Sequence, residues 1–168
     1  CLSSHSKVNV GTNLITLDQS SDGVYTNCVF SVTDSAGNES EKISLNFFRI
    51  DSTSPFLSEV SKIESMTTKR NPTYSFSSSE SGELDFVGKC DSETKRVNQG
   101  INSVTLKTLV EGTYNDCRIK VTDDASNVSY LDINNFEVDY PPTLTLTTGI
   151  SSSTKDSRPS LIILTDQA

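Results

Sequence analysis

The sequence predicts an all-β chain built from copies of a two-sheet sandwich of about 88 residues. Three observations carry this. One skeleton occurs twice, from Gly23 to Ser40 and from Gly112 to Ser129: Tyr25 and Tyr114, Cys28 and Cys117, Val32 and Val121, Asp34 and Asp123, and Asn38 and Asn127 are each 89 positions apart (114 − 25). No segment sustains a period near 3.6, whereas several alternate with period 2. The composition is rich in Ser, Thr, Asn and β-branched residues and poor in strong helix formers.

The repetition reaches further. Cys1 corresponds to Cys90, and Val8, Asn9, Gly11 and Asn13 correspond to Val97, Asn98, Gly100 and Asn102. The offset then slips to 88 at Phe48 and Phe136 and at Asp51 and Asp139, and to 87 for Pro55 and Pro72 against Pro142 and Pro159. Single-residue changes in loops produce such slips. The expected organisation is 1–52, the back of one unit; 53–140, a complete unit; and 141–168, the front of a third. A start at Cys rather than Met is read as a cut inside a longer gene product.

Within 53–140 the elements follow in order. Phe56 to Ile63 is the first expected strand, with Pro55 at its start, where a missing N–H does little harm. Thr68 to Asn71 is a loop. Thr73 to Ser79 alternates, with Tyr74 and Phe76 on one face, and Glu80-Ser81-Gly82 turns the chain. Glu83 to Cys90 puts Leu84, Phe86 and Cys90 on one face. Asp91 to Gly100 is polar and loop-like. Asn102 to Leu109 follows, with Val104 and Leu106 inward. Tyr114 to Thr122 is the strand expected to be most buried, through Cys117, Ile119 and Val121. Tyr114 is out of phase with these, which predicts a bulge or corner. Asp123 to Asn127 is a hairpin loop, and Val128 to Val138 the last strand. Short strands about ten residues apart, with turns between, are the pattern of a two-sheet sandwich.

Four cysteines allow three pairings. Both repeat-related pairs have a separation of 27 (28 − 1 and 117 − 90). If the strand ending at Cys90 lies antiparallel beside the one holding Cys117, the two meet at one end of one sheet. The repeat therefore selects Cys1–Cys28 and Cys90–Cys117 as structural disulfides, implying an oxidising compartment. Lipid modification of Cys1 is the rival use of that residue, disfavoured by its counterpart Cys90. The same cysteines lack any zinc-ligand spacing.

With 14 Lys and Arg against 22 Asp and Glu, the net charge is −8, which argues against nucleic acid or an anionic membrane as partner. No apolar run nears the ~20 residues needed to span a bilayer, so no membrane insertion is expected in this segment. His5 stands alone, without a nucleophile-like setting, and Glu80 with Glu83 reads as a solvated loop, so no catalytic residues are expected. Asn38-Glu39-Ser40 and Asn127-Val128-Ser129 fit the glycosylation acceptor pattern, but their place in a hairpin favours a turn role.

The run from Tyr25 through Cys28, Val32-Thr33-Asp34-Ser35-Ala36-Gly37-Asn38 and Ser40, followed by Phe48-Arg49-Ile50-Asp51-Ser52-Thr53-Ser54-Pro55, resembles the bacterial Ig-like repeat. The resemblance covers nearly the whole chain; the cysteine pair marks a subgroup. Ser126 departs from it where the first copy has Gly37, as does Tyr140-Pro141-Pro142 in the second linker. The resemblance implies a tandem array of Ig-like β-sandwiches in a secreted or cell-surface protein, adhesins included. The implied role is a non-catalytic spacer that supports a binding domain, with neighbouring repeats as its contacts. A host-cell or matrix protein or a glycan would be bound by another part of the full protein. The alternative is a carbohydrate-binding accessory module of a secreted hydrolase, disfavoured by the absence of Trp. Arrays of this kind use calcium at their junctions, which makes Asp34, Asp51, Asp123 and Asp139 candidate calcium ligands. Asp and Asn also close turns through their own side chains, and that use is favoured here. Finally, open strand edges in the two outer segments are expected to invite pairing between chains, with 52–140 alone staying monomeric.

Overall fold

The computed structural model describes Cys1, residues 7–18 and residues 20–167. His5 lies outside the described residues. Every regular element among them is a strand. The first segment carries β1 (Gly23–Tyr25), β2 (Val29–Phe30), β3 (Ile43–Ser44) and β4 (Phe48–Ile50). The middle segment carries β5 (Leu57–Ser61), β6 (Met66–Thr67), β7 (Thr73–Ser78), β8 (Gly82–Val87), β9 (Arg96–Val97), β10 (Gly100–Thr105), β11 (Gly112–Tyr114), β12 (Arg118–Thr122), β13 (Val128–Asp132) and β14 (Phe136–Val138). The last segment carries β15 (Leu144–Thr148) and β16 (Ile162–Thr165).

Three sheets build the middle segment, in the orders β10-β7-β5, β13-β12-β8-β9 and β11-β14-β6. Alternation explains which faces close together. In β7, Tyr74 and Phe76 are buried while the intervening serines point outward; in β12, Ile119 and Val121 are buried between Arg118, Lys120 and Thr122. These residues join Leu84, Val97, Val104, Leu106, Tyr114, Phe136 and Val138 in one hydrophobic cluster drawn wholly from the middle segment. Sheets sharing one apolar core in this way are consistent with a β-sandwich.

Several expected elements divide. The stretch from Tyr114 to Thr122 is two strands: β11 pairs with β14, then β12 pairs with β8 and β13 in another sheet. The anticipated corner is the passage between sheets. Tyr114 fixes it, its hydroxyl donating to the Val110 carbonyl and accepting from the Val110 N–H, both at 3.0 Å. The stretch from Val128 to Val138 also splits, because β14 leaves for the sheet of β11. β9 lies inside the polar stretch, and its Val97 turns to the core. β6 runs parallel to β14, pairing Met66 with Glu137 and Thr67 with Val138. Two-residue strands carry too little periodicity to be seen in a sequence.

The pairing of β1 with β4 in the first segment reproduces that of β11 with β14 in the middle one. Gly23, Val24 and Tyr25 pair with Ile50, Arg49 and Phe48, as Gly112, Thr113 and Tyr114 pair with Val138, Glu137 and Phe136. Tyr25 stacks on Phe48 at 5.1 Å and Tyr114 on Phe136 at 5.0 Å. The Tyr25 hydroxyl donates to the Ser21 carbonyl at 2.7 Å, the counterpart of the Tyr114–Val110 bond.

The two disulfides are Cys1–Cys28 and Cys90–Cys117. Cys90 and Cys117 lie just past the last ladder pair of β8 and β12, Val87 with Arg118. Gly88 permits the approach: its φ is +88°, and a Cβ there would collide with the Asp116 carbonyl oxygen.

Both hairpin loops after the cysteines have a left-handed residue at the same place, Gly37 at φ +88° and Ser126 at φ +73°. Serine meets a Cβ–carbonyl conflict there that glycine escapes. Ser126→Gly is therefore expected to stabilise the middle segment by about 0.5–1 kcal/mol, after its greater unfolded-state entropy is counted. Equilibrium denaturation measures this; an unchanged or lower midpoint would refute it.

Candidate functional site

Polar groups concentrate where the segments meet. At the first junction the Asp22 carboxylate accepts from the Ser52 N–H at 3.0 Å, the Ser52 hydroxyl at 2.8 Å and the Thr53 hydroxyl at 2.8 Å. The hydroxyls of Ser52 and Thr53, then the Ser52 N–H, hold this carboxyl below its usual range. From the other side, the Asn127 side-chain amide donates to the Asp51 carbonyl at 3.0 Å. The linker is thus gripped by both neighbours.

The second junction is built at equivalent positions. Glu111, which corresponds to Asp22, accepts from the Tyr140 N–H at 3.1 Å and from the Gln167 side chain at 2.5 Å. The Tyr140 hydroxyl donates to the Leu109 carbonyl, and the Arg70 guanidinium lies 3.9 Å above the Tyr140 ring.

Beside the first linker, Asp51, Glu80 and Asp123 bring carboxylate oxygens within 4.8 Å of one another. Of the four candidate calcium ligands, two are therefore brought together. Asp34 stays in its own hairpin, where Oδ1 accepts from Ala36 and Asn38 N–H groups and Oδ2 from the Asn38 amide. Asp139 is exposed and its backbone N–H donates to Thr67. Glu80, read from sequence as part of a solvated loop, is half-buried at this junction. Burial first, then the charges of Asp51 and Asp123, push its carboxyl above the ordinary range. A cue existed: Glu80 opens the turn into β8, and β8 begins beside the end of β12, where the Asp123 hairpin starts. Only the fold brings Asp51 to it.

The donor set is largely spoken for. Asp51 is ion-paired with Arg49 at 2.7 Å. Asp123 gives Oδ1 to the Ala125 and Asn127 N–H groups, each at 2.8 Å, and Oδ2 to the Asn127 amide at 2.9 Å. Burial raises its carboxyl, but those hydrogen bonds outweigh it and the net direction is down. A calcium ion takes six to eight oxygens, and these residues fit one only if Arg49 and the turn amides give up theirs. The ion pair lies within the first segment, and what joins that segment to the middle one here is the Asn127 amide on the Asp51 carbonyl. The thermal midpoint of the 168-residue chain is expected to be equal in millimolar calcium and in chelator; a calcium-dependent rise would overturn this. Asn38 and Asn127 are likewise committed to their turns through their side-chain amides.

Two disulfides suggest an oxidising, extracellular environment. Among the described residues no helix is long and apolar enough to cross a membrane. No protein-family model matches this chain, and no curated protein matches it.

Proposed function

We propose that the chain is a non-catalytic spacer of tandem Ig-like β-sandwich repeats in a secreted or cell-surface bacterial protein, supporting a binding domain carried elsewhere in that protein. The observation that carries this reading is the gripped linker. Asp22 and Asn127 hold residues 51–53 from opposite sides, and Glu111 recurs at the position of Asp22 on the second linker. A spacer transmits orientation only if its linkers resist bending, and these hydrogen bonds supply that resistance. The tyrosine corners, one sulfur bridge per copy and the acidic surface accord with a secreted array. Calcium is not required in this reading.

Asp22→Ala tests it. Small-angle scattering should show the parent chain extended and narrowly distributed at neutral pH and the variant more broadly distributed, with the melting of the middle segment unchanged. Indistinguishable profiles would remove the support for a stiff linker. The pH dependence has a definite sign. A carboxyl with a depressed folded pKa contributes its hold above the unfolded carboxylate value, and that hold fades as pH falls through the folded one. The parent chain should therefore loosen only on acidification below the usual carboxylate range.

A further inference from the structure

A strand at the edge of a sheet presents unpaired N–H and C=O groups, and stable sheets blunt such edges with charge, proline, a bulge or shortness. In the middle segment the edge strands are β10 and β5, β13 and β9, and β11 and β6. All but one are blunted. β5 breaks register between Glu59 and Ser61 and carries the Glu59–Lys62 ion pair. β13 ends on Asp132, which is paired with Arg118. β6 and β9 have two residues each and β11 has three. β10 has none of these protections. It runs six residues, Gly100–Thr105, without a charged side chain, a proline or a break in register against β7.

The Leu106 N–H donates to the Pro72 carbonyl, and in an antiparallel ladder the backbone direction alternates. Even-numbered residues of β10 therefore face β7, while Ile101, Ser103 and Thr105 turn their N–H and C=O groups to the open side. The Thr105 carbonyl is taken by the Ser92 hydroxyl at 2.7 Å. The open-side groups of Ile101 and Ser103 have no partner among the described residues. The outer face of the same sheet is equally uncharged: Ser58, Ser77 and Ile101 form one row across it, and Ser61, Ser75 and Ser103 the next. Ile101 is 74% exposed. The outer face of the other large sheet differs, with the pairs Arg118–Asp132 and Lys120–Asp85 laid across it. In a chain of net charge −8, the β10 side is where a second copy approaches without like-charge repulsion. The charges lining the cleft beside Ser103 and Thr105, those of Glu93 and Lys107, are paired with each other at 3.1 Å.

We propose that β10 is a homotypic contact edge, pairing antiparallel with β10 of a second copy about a two-fold axis at Asn102. The open groups select this register. Ile101 of one copy exchanges hydrogen bonds with Ser103 of the other, and the reverse, so all the open groups find partners. A two-fold centred on Ile101 would set Ser103 against Gln99, outside the strand. One centred on Ser103 would set Ile101 against Thr105, whose carbonyl is taken. The same edge meets itself, so the contact is isologous and closes at two copies. The seam lies within residues 52–140, the stretch expected from sequence to stay monomeric alone, and does not involve the outer segments.

The fold also sets the direction. β7 ends beside the first junction, where Glu80 meets Asp51, and begins beside the second, where Arg70 lies over Tyr140. Its strands run along the line of the junctions, so an antiparallel seam joins chains that point opposite ways. The seam rests on the middle segment alone; its use as a contact between arrays reaching out from facing surfaces rests on the proposed function. One short seam is weak, and arrays whose units each offer such an edge add their seams. The matching stretch of the first copy, Gly11-Thr12-Asn13-Leu14-Ile15-Thr16, is likewise uncharged.

Cross-linking of the 168-residue chain tests the register. Chains carrying Ile101→Cys, mixed with chains carrying Ser103→Cys under mild oxidation, should give a disulfide-linked pair. Either variant alone should link about tenfold less, because directly opposite Cβ atoms lie about 5 Å apart and diagonal ones about 7–8 Å. Sedimentation of the parent chain should show mass rising with concentration, and both Ile101→Lys and Ser103→Pro should suppress the rise. Both variants should keep the parent's thermal midpoint at low concentration. Ile101 is exposed, and the Ser103 N–H makes no bond to β7, which is where an edge strand tolerates proline. Equal linking by a single variant, a parent chain that stays monomeric at all concentrations, or association that Ile101→Lys leaves unchanged would overturn the proposal. None of these results bears on the stiff linker, which Asp22→Ala tests separately.

Discussion

Replacing Phe76 with alanine is expected to destabilise the middle segment by about 3–5 kcal/mol, the range for removing an aromatic ring from a closed core. Phe76 is fully buried, its ring 6.3 Å from that of Tyr74 in the cluster that joins the three sheets. The substitution removes apolar area and leaves a cavity that strands tied on both sides cannot collapse into. Ile163 occupies the corresponding position in the last segment, and Ile163→Ala should cost less than about 1 kcal/mol because its side chain is already half in water. Urea denaturation of both variants at a protein concentration low enough to keep the chain monomeric makes the comparison. Equal losses would mean that burial does not distinguish these positions.

Loss of the Cys90–Cys117 bridge should cost about 3 kcal/mol, through the entropy that a closed loop with a separation of 27 removes from the unfolded chain. The paired substitution Cys90→Ala with Cys117→Ala tests this without a reductant. Both sulfurs are buried in the same core, so the lost packing adds to the entropy rather than opposing it. The pair Cys1→Ser with Cys28→Ser should leave the middle segment's midpoint within about 0.5 kcal/mol, because distant sites with no shared partners act independently. If the outer pair proved as costly as the inner one, the two segments would not be energetically separate. Non-reducing digestion and mass spectrometry should recover Cys90 linked to Cys117 and no link from Cys28 to Cys90.

Much of this was legible in the residues because one skeleton occurs twice in them. The match of Cys1 with Cys90 and of Cys28 with Cys117 selected the sulfur pairing, and the mismatched phase of Tyr114 against Cys117, Ile119 and Val121 announced a bulge or a corner. What escaped was short or non-local. β6 and β9 are two residues each, and neither offers a pattern; Val97 is a single apolar residue in a polar run. Glu80 looked solvated because nothing in its own stretch would bury it. Its partners are 29 and 43 positions away (80 − 51 and 123 − 80), and only the folded chain sets them side by side.

The sequence by itself determined the longer strand-forming stretches of the middle segment, the inward faces of β7, β10 and β12, and the partners of all four cysteines. Side-chain alternation and a copied skeleton are local properties that need no partner to be read. The tertiary structure alone decided that Tyr114–Thr122 and Val128–Val138 divide between sheets, that Asp51, Glu80 and Asp123 converge while Asp34 and Asp139 stand apart, and that Asp22 grips the linker. Each of those depends on which strand edges meet, and edge pairing is settled by the burial of one shared core rather than by any residue's own preference.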